Sequence, residues 1–541
     1  LFMGVYLRYL RPGRVVEVSV IGGILLLIAV ISGRWVAEAS WGHVFALNKT
    51  TLAWCLIVYG FLAAILPVWL LLAPRDYLST FMKVGTIALL AVGVCIALPV
   101  VQAPAISQWA DGTAKTAAPV FAGNLFPFLF ITIACGALSG FHALIGSGTT
   151  PKMIEKETQM RTIGYGGMLV ESFVAIMALV TAITLDPHLY FIMNAPNATM
   201  GITAGMDPTA AATAAANWVN GLGLSGTSID PNAIMQAAKD VDEASIISRT
   251  GGAPTLALGM AHILSFLGGA AMKGFWYHFA VMFEALFILT TIDAGTRVCR
   301  FMFSDAIGNL GGPMKKFKDP SWTLGAWICT LIVVAGWGYF LVMGVTDPLG
   351  GINTLYPLFG IANQLLAAIA LTLVTVVVIK KGLLKWAWIP GIPLLWDLTV
   401  TMVASAYKIF SSQPAIGYWA QNKRYRSALA DGTVNGDGIV EWNNAKFGTL
   451  ANVKAVINNT TVQGTLSIVY ALLVLTVFVV GILVSIKAIR QGSLPTTEEP
   501  TEPSHMFAPA GLWSTKEEKA LAKEWAEWET AHGGHKKAVA H

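Results

Sequence analysis

The 541 residues of this chain are 55% hydrophobic and only 12% charged, and their mean hydropathy is +0.63. A soluble protein with so few polar side chains could not cover its own surface, so the composition excludes a water-soluble domain and indicates a polytopic membrane protein. The 35 Lys and Arg residues exceed the 30 Asp and Glu residues, which gives a net charge of +5. In a membrane protein this surplus is expected in cytoplasmic loops, so it does not argue for nucleic-acid binding.

Neither a metal site nor a cofactor site is predicted. The five cysteines are scattered, mostly in apolar runs, with no CxxC or Cys/His spacing, and we interpret them as packing residues. Residues 431–442 resemble a calcium-binding loop only faintly, because Thr433 and Trp442 stand where ligands are needed. A plain turn is the prediction there.

In chain order, residues 1–7 are typical of the end of a helix, so the first expected element is an N-terminal helix remnant. Apolar runs of membrane-spanning length follow, which predicts an all-α polytopic membrane protein with ten transmembrane helices after the remnant. These runs are residues 15–33, 51–73, 81–101, 121–145, 163–185, 275–295, 323–346, 352–379, 386–410 and 464–486.

Basic residues between the runs predict the orientation. If Arg8, Arg11 and Arg14 are cytoplasmic, the alternation of spans places every later cluster of Lys and Arg, and the C-terminus, on the cytoplasmic side. The apolar segment 254–270 would break this agreement if it crossed the membrane. We therefore predict that 254–270 is a re-entrant or surface-lying helix packed over the outer face.

These assignments divide the chain into two parts. A transmembrane transporter domain is predicted over residues 1–490, with outer loops at 186–253 and 411–463 that are rich in Ala, Asn, Gly and Thr. Residues 491–541 become polar and rich in Pro and Glu, which predicts a cytoplasmic tail.

A short amphipathic helix is predicted in the tail, over residues 514–530. Ser514 and Glu517 make a capping box at its start. One apolar stripe is formed by Leu521, Trp525 and Trp528. Such a stripe favours docking on the parent protein, and contact with lipid headgroups or a partner is the alternative.

The run at 121–154 is interrupted in a way that a plain membrane anchor would not need. Glycines weaken or open its helix, and its hydroxyl groups lie where lipid offers no hydrogen-bond partner. We interpret this stretch as one wall of a transport path, with its breaks at Gly136 to Gly140. The candidate substrate-binding residues in it are Thr132, Gly136, Ser139 and Gly140.

Polar residues of other predicted helices fall near the same depth. A rise of about 1.5 Å per residue places Glu171, Glu284, Asp397 and the pair Asn363/Gln364 roughly 12–18 Å into the membrane, close to the midplane of a ~30 Å core. Convergence of polar groups at the midplane is typical of a secondary transporter.

A carboxyl group at this depth must be neutral or paired, so it can carry a coupled proton. The candidate groups for proton coupling are Glu284, Glu171, Asp397 and His142. His142 is either a proton group or a histidine satisfied at the helix break. Asn363 and Gln364 are candidates for substrate contact, with interhelical hydrogen bonding as an equal alternative. Asp293 stands four residues before Arg297 and is expected to form a structural ion pair with it.

Long stretches of the sequence also match a known family. Among them are RYLRPGR (8–14), NLFPFLFITIACGALSGFHALIGSGTTPKMI (124–154), IGYGGMLVESFVAIMALV (163–180), FWYHFAVMFEALFILTTIDAGTR (275–297) and DPLGGINTLYPLFGIANQLLA (347–367). On these motifs the chain closely resembles the carbon starvation protein A family of bacterial inner-membrane carriers. The similarity extends from Leu1 to about Lys380.

This resemblance implies uptake of small nutrients when carbon is scarce. Peptides and pyruvate are both attributed to members, pyruvate by proton symport. The resemblance also implies a LeuT-like transporter core, built on a five-plus-five inverted repeat. Members begin with further helices, including a Gly-rich segment that would be the repeat partner of the run at 121–154, so half of the binding site is expected from residues preceding this sequence.

The sequence therefore predicts a proton-coupled symporter of the bacterial inner membrane that imports pyruvate or short peptides, with substrate, protons and the lipid bilayer as its partners. A second hypothesis is an intramembrane enzyme that uses Glu171, Glu284 or His142, but the sequence lacks HExxH, GxSxG and paired-aspartate motifs. A third is a nutrient sensor that signals through the tail helix at 514–530.

Overall fold

The computed structural model is largely helical in the part of the chain that it describes. That part comprises residues 2–11, 14–110, 118–120, 123–133, 136, 138–148, 150–154, 159–203, 205–319, 322–496, 519–520, 523–524 and 526–527. The predicted tail helix at 514–530 lies mostly outside these residues.

The first part of the chain contains both long and short helices. Helix α1 (Phe2–Val5) continues into a π-helical turn (Tyr6–Leu10) and corresponds to the predicted remnant. The helices that follow are α2 (Val15–Glu38), α3 (Lys49–Ile65), α4 (Leu72–Ala97), α5 (Leu125–Thr132), α6 (Gly140–Gly148), α7 (Thr150–Met153) and α8 (Gln159–Ile183).

The predicted outer loop at 186–253 contains short helices that begin with Asp-Pro pairs. In each, the Asp side chain accepts a hydrogen bond from a first-turn N–H group, and the proline occupies a position where a missing N–H has no consequence. They are α9 (Pro187–Asn194), α10 (Pro208–Asn220) and α11 (Pro231–Asp240).

The remaining helices are α12 (Gly252–Ile263), α13 (Lys273–Gly308), α14 (Thr323–Thr346), α15 (Gly351–Lys380), α16 (Trp388–Phe410), α17 (Tyr418–Asp431) and α18 (Leu450–Gln491). A small antiparallel sheet, in the order β1-β2-β3, joins α17 to α18 in the second predicted outer loop, 411–463. Its strands are β1 (Thr433–Val434), β2 (Ile439–Trp442) and β3 (Ala445–Thr449).

Within the described residues, eight helices are long and apolar enough to cross a membrane. They are α2, α4, α8, α13 (with the preceding turn), α14, α15, α16 and α18. This arrangement confirms the prediction of an all-α polytopic membrane protein. Some predicted runs differ from it in detail. The run at 51–73 becomes the shorter α3, which ends at Ile65 just before Pro67, and the run at 121–145 is divided between α5 and α6.

Segment 254–270 forms α12 and a following turn, and the helix is buried along nearly its whole length. It packs against α8, where Gly259 meets the backbone of Thr181, and against α4, where Leu264 meets Gly93. Only a helix without a side chain at position 259 can approach α8 so closely. The re-entrant or surface position of this segment stays a prediction.

The two larger apolar clusters of the described residues lie among the long helices. One contains buried side chains of α4, α8 and α13 together with those of α9–α12. The other contains buried side chains of α5, α15, α16 and α18. The broken run at 121–154 therefore has its first half in the second cluster.

The end of the bundle that the charges predict to be cytoplasmic, here called the inner end, is held by arginines. Arg297 donates hydrogen bonds to the carbonyl oxygens of Ala63 (2.9 Å) and Leu66 (3.0 Å), and Arg300 donates to that of Ala64 (2.8 Å). These carbonyls belong to the last turn of α3 and the residue after it, where helical partners are missing. The arginines of α13 thus cap α3.

The sequence-based pairing of Asp293 with Arg297 is wrong. Asp293 is buried and forms an ion pair with Arg75 of α4, and the Tyr59 hydroxyl of α3 donates to the same carboxylate at 3.1 Å. Spacing within α13 could not reveal this, because the partner comes from a helix more than 200 positions earlier in the sequence. The cluster joins α3, α4 and α13.

We expect Arg297→Met to lower the free energy of unfolding by about 2–3 kcal/mol, because the Ala63 and Leu66 carbonyls would be left without their charged donor. The measurement is thermal unfolding of the purified protein in detergent. Lys487→Met is the matched control, since Lys487 is exposed on α18 and its loss should leave the Tm nearly unchanged. Equal losses in the two variants would contradict the capping role.

Candidate functional site

The broken helix is the centre of the candidate site. Helix α5 ends at Thr132 and α6 begins at Gly140, and the described residues 133, 138 and 139 between them are not helical, so the helix is broken inside a run predicted to span the membrane. A helix end leaves carbonyl groups without partners, and a helix start leaves N–H groups without partners. Lipid cannot supply those hydrogen bonds. The protein must therefore supply them.

Two adjacent amides of α15 serve the two sides of the break. The Asn363 Oδ1 atom accepts hydrogen bonds from the Phe141 backbone N–H (2.9 Å) and the Ser139 hydroxyl (3.3 Å). The Gln364 Nε2 group donates to the Phe130 carbonyl oxygen at 3.0 Å. Asn363 thus holds the start of α6, and Gln364 holds the last turn of α5.

Close backbone approach makes these bonds possible. A Cβ atom at Gly140 would collide with the Asn363 carbonyl oxygen and the Ala367 nitrogen, so only glycine lets α6 touch α15 there. At Gly360 a Cβ atom would lie 2.8 Å from the Ile131 carbonyl oxygen. Both halves of the broken helix therefore rest on glycine-lined contacts with α15.

Thr132 closes the first half. Its hydroxyl donates to the Phe128 carbonyl oxygen at 2.7 Å, and its own carbonyl oxygen accepts from the Tyr356 hydroxyl at 2.6 Å. Tyr356 and Asn363 are seven residues apart on α15, which places them on one face of that helix. Gly136 lies beside α8, where a Cβ atom would be 3.1 Å from that of Ala175.

Asp397 is connected to the break through a buried chain of polar groups. The Thr401 hydroxyl lies 2.6 Å from the Asp397 carbonyl oxygen and 3.3 Å from both Asp397 Oδ1 and Gln364 Oε1. Asp397, Thr401 and Gln364 are all fully buried. Asp397 Oδ2 has no hydrogen-bond partner among the described residues. This carboxyl group has no counter-ion there, and such a group is stable at membrane depth in its protonated form.

His142 and Glu171, which sequence reasoning treated separately, form one pair. The His142 Nδ1 atom lies 3.1 Å from Glu171 Oε2, and both side chains are partly exposed. Glu171 is at the centre of α8, and His142 is in the first turn of α6. The pair lies next to the break, on its α8 side.

Glu284 stands apart from these groups. It is partly buried on α13 and has no hydrogen bond or ion pair within the described part of the chain. Gly295 of the same helix contacts the Phe141 ring of α6. Eleven residues separate Glu284 from Gly295, so the two share a face of α13 about 16 Å apart. Glu284 therefore lies on the α6-facing side of α13, outward of the contact with α6.

A cavity of about 860 Å³ opens above α15 at the end of the bundle opposite the inner end, here called the outer end. Phe359 and Tyr356 line it, and they lie one turn and two turns above Asn363, respectively, on the same face. Its charged lining residues are Lys49, Arg249 and Asp347. Arg249 also pairs with Glu243 at 2.7 Å. The cavity thus leads from the outer surface towards the break.

The structure brings most of the predicted substrate-contact residues together. Thr132, Ser139, Gly140, Asn363 and Gln364 meet at the break, and Gly136 lies beside it. Of the predicted proton groups, Asp397, Glu171 and His142 adjoin the break, whereas Glu284 has no described contact with it.

Sequence reasoning missed Tyr356, Thr401 and Lys83. The first two looked like ordinary residues of apolar helices, and only their contacts give them a role. The predicted run 81–101 places Lys83 at the membrane edge, where a lysine needs no special explanation. Helix α4 starts at Leu72 instead, so Lys83 lies near its centre.

Comparison with known proteins identifies a family and several relatives that this chain resembles. The sequence matches the family described as carbon starvation protein CstA over residues 1–404. The peptide transporter CstA of Mycobacterium tuberculosis (strain ATCC 25618 / H37Rv) is 61% identical over 528 residues, which cover 97% of this chain and 67% of that protein. No solved structure matches the chain.

Two proteins of Escherichia coli (strain K12) are also similar. Its peptide transporter CstA is 48% identical over 506 residues, covering 93% of this chain and 69% of that protein. Its pyruvate/proton symporter BtsT is 45% identical over 501 residues, covering 89% of this chain and 67% of that protein. The chain thus spans about two thirds of the length of these relatives.

We expect Asn363→Leu to lower the free energy of unfolding by about 1–3 kcal/mol, because the Phe141 N–H and the Ser139 hydroxyl would lose their acceptor in a buried place. Thermal unfolding in detergent measures the effect. The same substitution at Asn458, an exposed amide of α18, should change stability by no more than about 0.5 kcal/mol. If Asn363→Leu were as mild as its control, the hydrogen bonds across the break would not support the fold.

Proposed function

The chain belongs to the carbon starvation protein CstA family, and from this premise we propose that it is a secondary active transporter importing a peptide or pyruvate together with protons. The observation that carries the proposal is the broken helix, whose free ends are held by Asn363 and Gln364 beside an uncompensated buried carboxyl group, Asp397. Relatives named as a peptide transporter and as a pyruvate/proton symporter support the two substrate classes.

Substrate reaches the break from the outer cavity in this proposal. Tyr356 and Phe359 form the wall between cavity and break, and Tyr356 also binds the last carbonyl of α5. Rotation of that side chain would open the way while freeing one hydrogen bond. Lys49 and Arg249 at the cavity give the carboxylate of an incoming substrate a favourable potential, which Asp347 and Glu243 partly offset.

Asn363 is the proposed contact for the substrate carboxylate. Its oxygen is occupied by α6, but its Nδ2 group is buried and has no hydrogen-bond partner in the described residues. A carboxylate placed there would accept from Nδ2 and face the start of α6, where the helix dipole favours negative charge. The amide would then hold helix and substrate together, so the two alternatives left open by the sequence are compatible.

Asp397 is the proposed carrier of the coupled proton. The polar chain from Asp397 through Thr401 and Gln364 ends on the carbonyl of Phe130 in α5. A change in its charge would therefore change the hydrogen bonds that hold α5. Glu171 with His142, and Glu284, stay as further candidates for coupling.

Alternating access would move the two apolar clusters relative to each other. The broken helix contacts both, because α5 packs in the second cluster and α6 touches Gly295 and Val298 of α13. We propose that this helix belongs to a LeuT-like inverted-repeat core, and that the protein lies in the bacterial inner membrane with its C-terminus in the cytoplasm. The positions of Lys and Arg support that orientation.

The alternative functions have less support. A nutrient sensor without transport would signal through the tail at 514–530, most of which lies outside the described residues. Deleting that helix and finding normal uptake with an abolished downstream response would favour the sensor. No specific observation favours an intramembrane enzyme, and the relatives are named as transporters.

We expect an imposed inward proton gradient to drive accumulation of labelled pyruvate or of a labelled short peptide in vesicles that contain the full-length protein. Accumulation should collapse when the gradient is dissipated by a protonophore. Uptake that is indifferent to the gradient, for every substrate tried, would contradict proton coupling.

Asp397→Asn should abolish gradient-driven accumulation while retaining exchange of labelled for unlabelled substrate, because exchange needs no net proton movement. Asn keeps the size of the side chain and cannot release a proton. The matched control is Asp76→Asn, which removes a carboxylate near the inner end of α4 whose partner is Arg75 at 2.8 Å. If Asp397→Asn accumulated substrate like the parent, the coupled proton would be carried elsewhere. The same assay on Glu284→Gln and Glu171→Gln would then identify the group.

A further inference from the structure

A cavity of about 660 Å³, separate from the one above α15, lies where the end of α16 meets α17, β2 and α18. We call it the α17 groove. Its lining includes three apolar residues of the predicted spans, Ile409, Phe410 and Ile468, and two tryptophans, Trp419 and Trp442. The Phe410 side chain is 81% exposed although it is the last residue of its predicted span. An exposed phenylalanine at the end of a span contacts lipid, so the groove adjoins the membrane there.

Basic side chains of α17 complete the lining of the groove. Lys423 and Arg424 line it and are exposed, and no acidic residue is among its lining residues in the described part of the chain. The Arg424 guanidinium lies 5.2 Å from the centre of the Phe447 ring, which gives it a fixed place. Ser412, another lining residue, adds a hydroxyl donor. The groove therefore offers positive charge and hydrogen-bond donors without a compensating carboxylate, which suits an anion.

Contacts between α17 and α18 give the depth of the groove. The Trp419 ring meets Gly464, the first residue of the last predicted span. Asn422 donates to the carbonyl oxygen of Ile457 at 2.8 Å, so α17 runs antiparallel to α18 and away from the membrane. Lys423 is four residues beyond Trp419, or about 6 Å further out. Because lipid headgroups occupy roughly 5–8 Å beyond the hydrocarbon core, Lys423 lies at headgroup depth and Trp419 at the edge of the hydrocarbon.

These basic residues are an exception to the charge distribution expected from the sequence. Lys423, Arg424 and Arg426 fall in the predicted outer loop 411–463, on the side where the positive-inside rule predicts few of them. Arg426 has a role within the fold, since its Nε group donates to Asn422 Oδ1 at 2.7 Å. Lys423 and Arg424 make neither a hydrogen bond nor an ion pair through their side chains with any described residue. A partner outside the protein explains why they are there.

We propose that the α17 groove binds an anionic phospholipid, with phosphatidylglycerol as its simplest representative. The lipid phosphate accepts hydrogen bonds from Lys423, Arg424 and Ser412, and one acyl chain lies against Phe410 and Ile468. The two tryptophans lie between these parts, at the level that such rings prefer in membranes. An anionic headgroup is favoured over a zwitterionic one, because the ammonium group of the latter would meet two like charges. The inference requires that the protein lies in a membrane, and it does not depend on the proposed transport.

The test measures binding of phosphatidylglycerol with a fluorescent acyl chain to the purified full-length protein in detergent. The parent should bind it at least tenfold more tightly than phosphatidylcholine with the same chains. Lys423→Gln combined with Arg424→Gln should weaken phosphatidylglycerol binding at least about tenfold, because each basic residue at a lipid surface contributes about fivefold. Equal binding of the two lipids by the parent, or unchanged binding by the double variant, would overturn the proposal.

The matched control removes the same charge elsewhere in the predicted outer loops. Lys239→Gln combined with Lys454→Gln replaces two exposed lysines outside the groove, and this variant should bind phosphatidylglycerol like the parent. An equal loss in the control would mean that net charge alone attracts the lipid, which would overturn a specific site. Millimolar inorganic phosphate, pyruvate or a short peptide should not displace the lipid, because none of them fills the apolar part of the groove. Displacement by any of them would assign the groove to a free anion or to substrate instead.

A second measurement needs no substituted protein. Phosphatidylglycerol with a photoreactive group on its acyl chain should, on irradiation, label the parent protein at residues 409–412 or near Ile468, and mass spectrometry of the digested protein locates the label. Excess unlabelled phosphatidylglycerol should prevent this labelling, and phosphatidylcholine should not. Label found only on other helices, or equal protection by the two lipids, would overturn the proposal.

Discussion

A helix that breaks inside a membrane must find hydrogen-bond partners for the backbone groups that the break sets free, and this requirement governs the site. Lipid has none to offer, and an unpaired backbone group there costs several kcal/mol. Two neighbouring side-chain amides supply these partners: Asn363 binds the backbone of α6, and Gln364 binds the backbone of α5. Because both come from one turn of α15, the two half-helices must both lie against that turn. Gly140 and Gly360 allow that contact.

The same requirement explains why structural and functional roles coincide here. A side-chain amide has an oxygen acceptor and a nitrogen donor, and binding the broken helix uses only one of them. In Asn363 the oxygen binds α6, and the buried Nδ2 donor has no partner in the described residues. The Gln364 Oε1 atom contacts the Thr401 hydroxyl, which also contacts the Asp397 carboxyl group. The residues that stabilise the break are therefore the ones through which a ligand or a proton could alter it. A purely structural pair of amides would be expected to saturate its hydrogen bonds.

Hydropathy and glycine content were sufficient for most of the spans and for the presence of a break before Gly140, because both are properties of a single stretch of chain. The spans follow from the length of apolar runs, and the break from glycines and hydroxyl groups that lipid cannot accommodate. Pairings between distant helices could not be predicted from the sequence. Asp293 binds Arg75 and not its neighbour Arg297, and His142 binds Glu171, because the relative register of helices decides both contacts. The end of α3 at Ile65 was also missed, since the apolar residues continue past Pro67 and hide it.

The ionisable groups at membrane depth divide by whether they are paired. At the inner end, Arg75, Asp293 and Arg297 bind one another's helices and fix α3, α4 and α13 together. Asp397, Glu284 and Lys83 have no opposite charge as partner in the described residues, and replacing such groups by apolar ones of similar size would stabilise a static protein. Their presence is explained if the protein changes state. An ionisable group whose interactions were fully satisfied in one state would hold the protein in that state. Asp397 lies on a helix of one apolar cluster, and Lys83 and Glu284 lie on helices of the other. Unpaired ionisable groups therefore occur on helices of both clusters that the broken helix contacts.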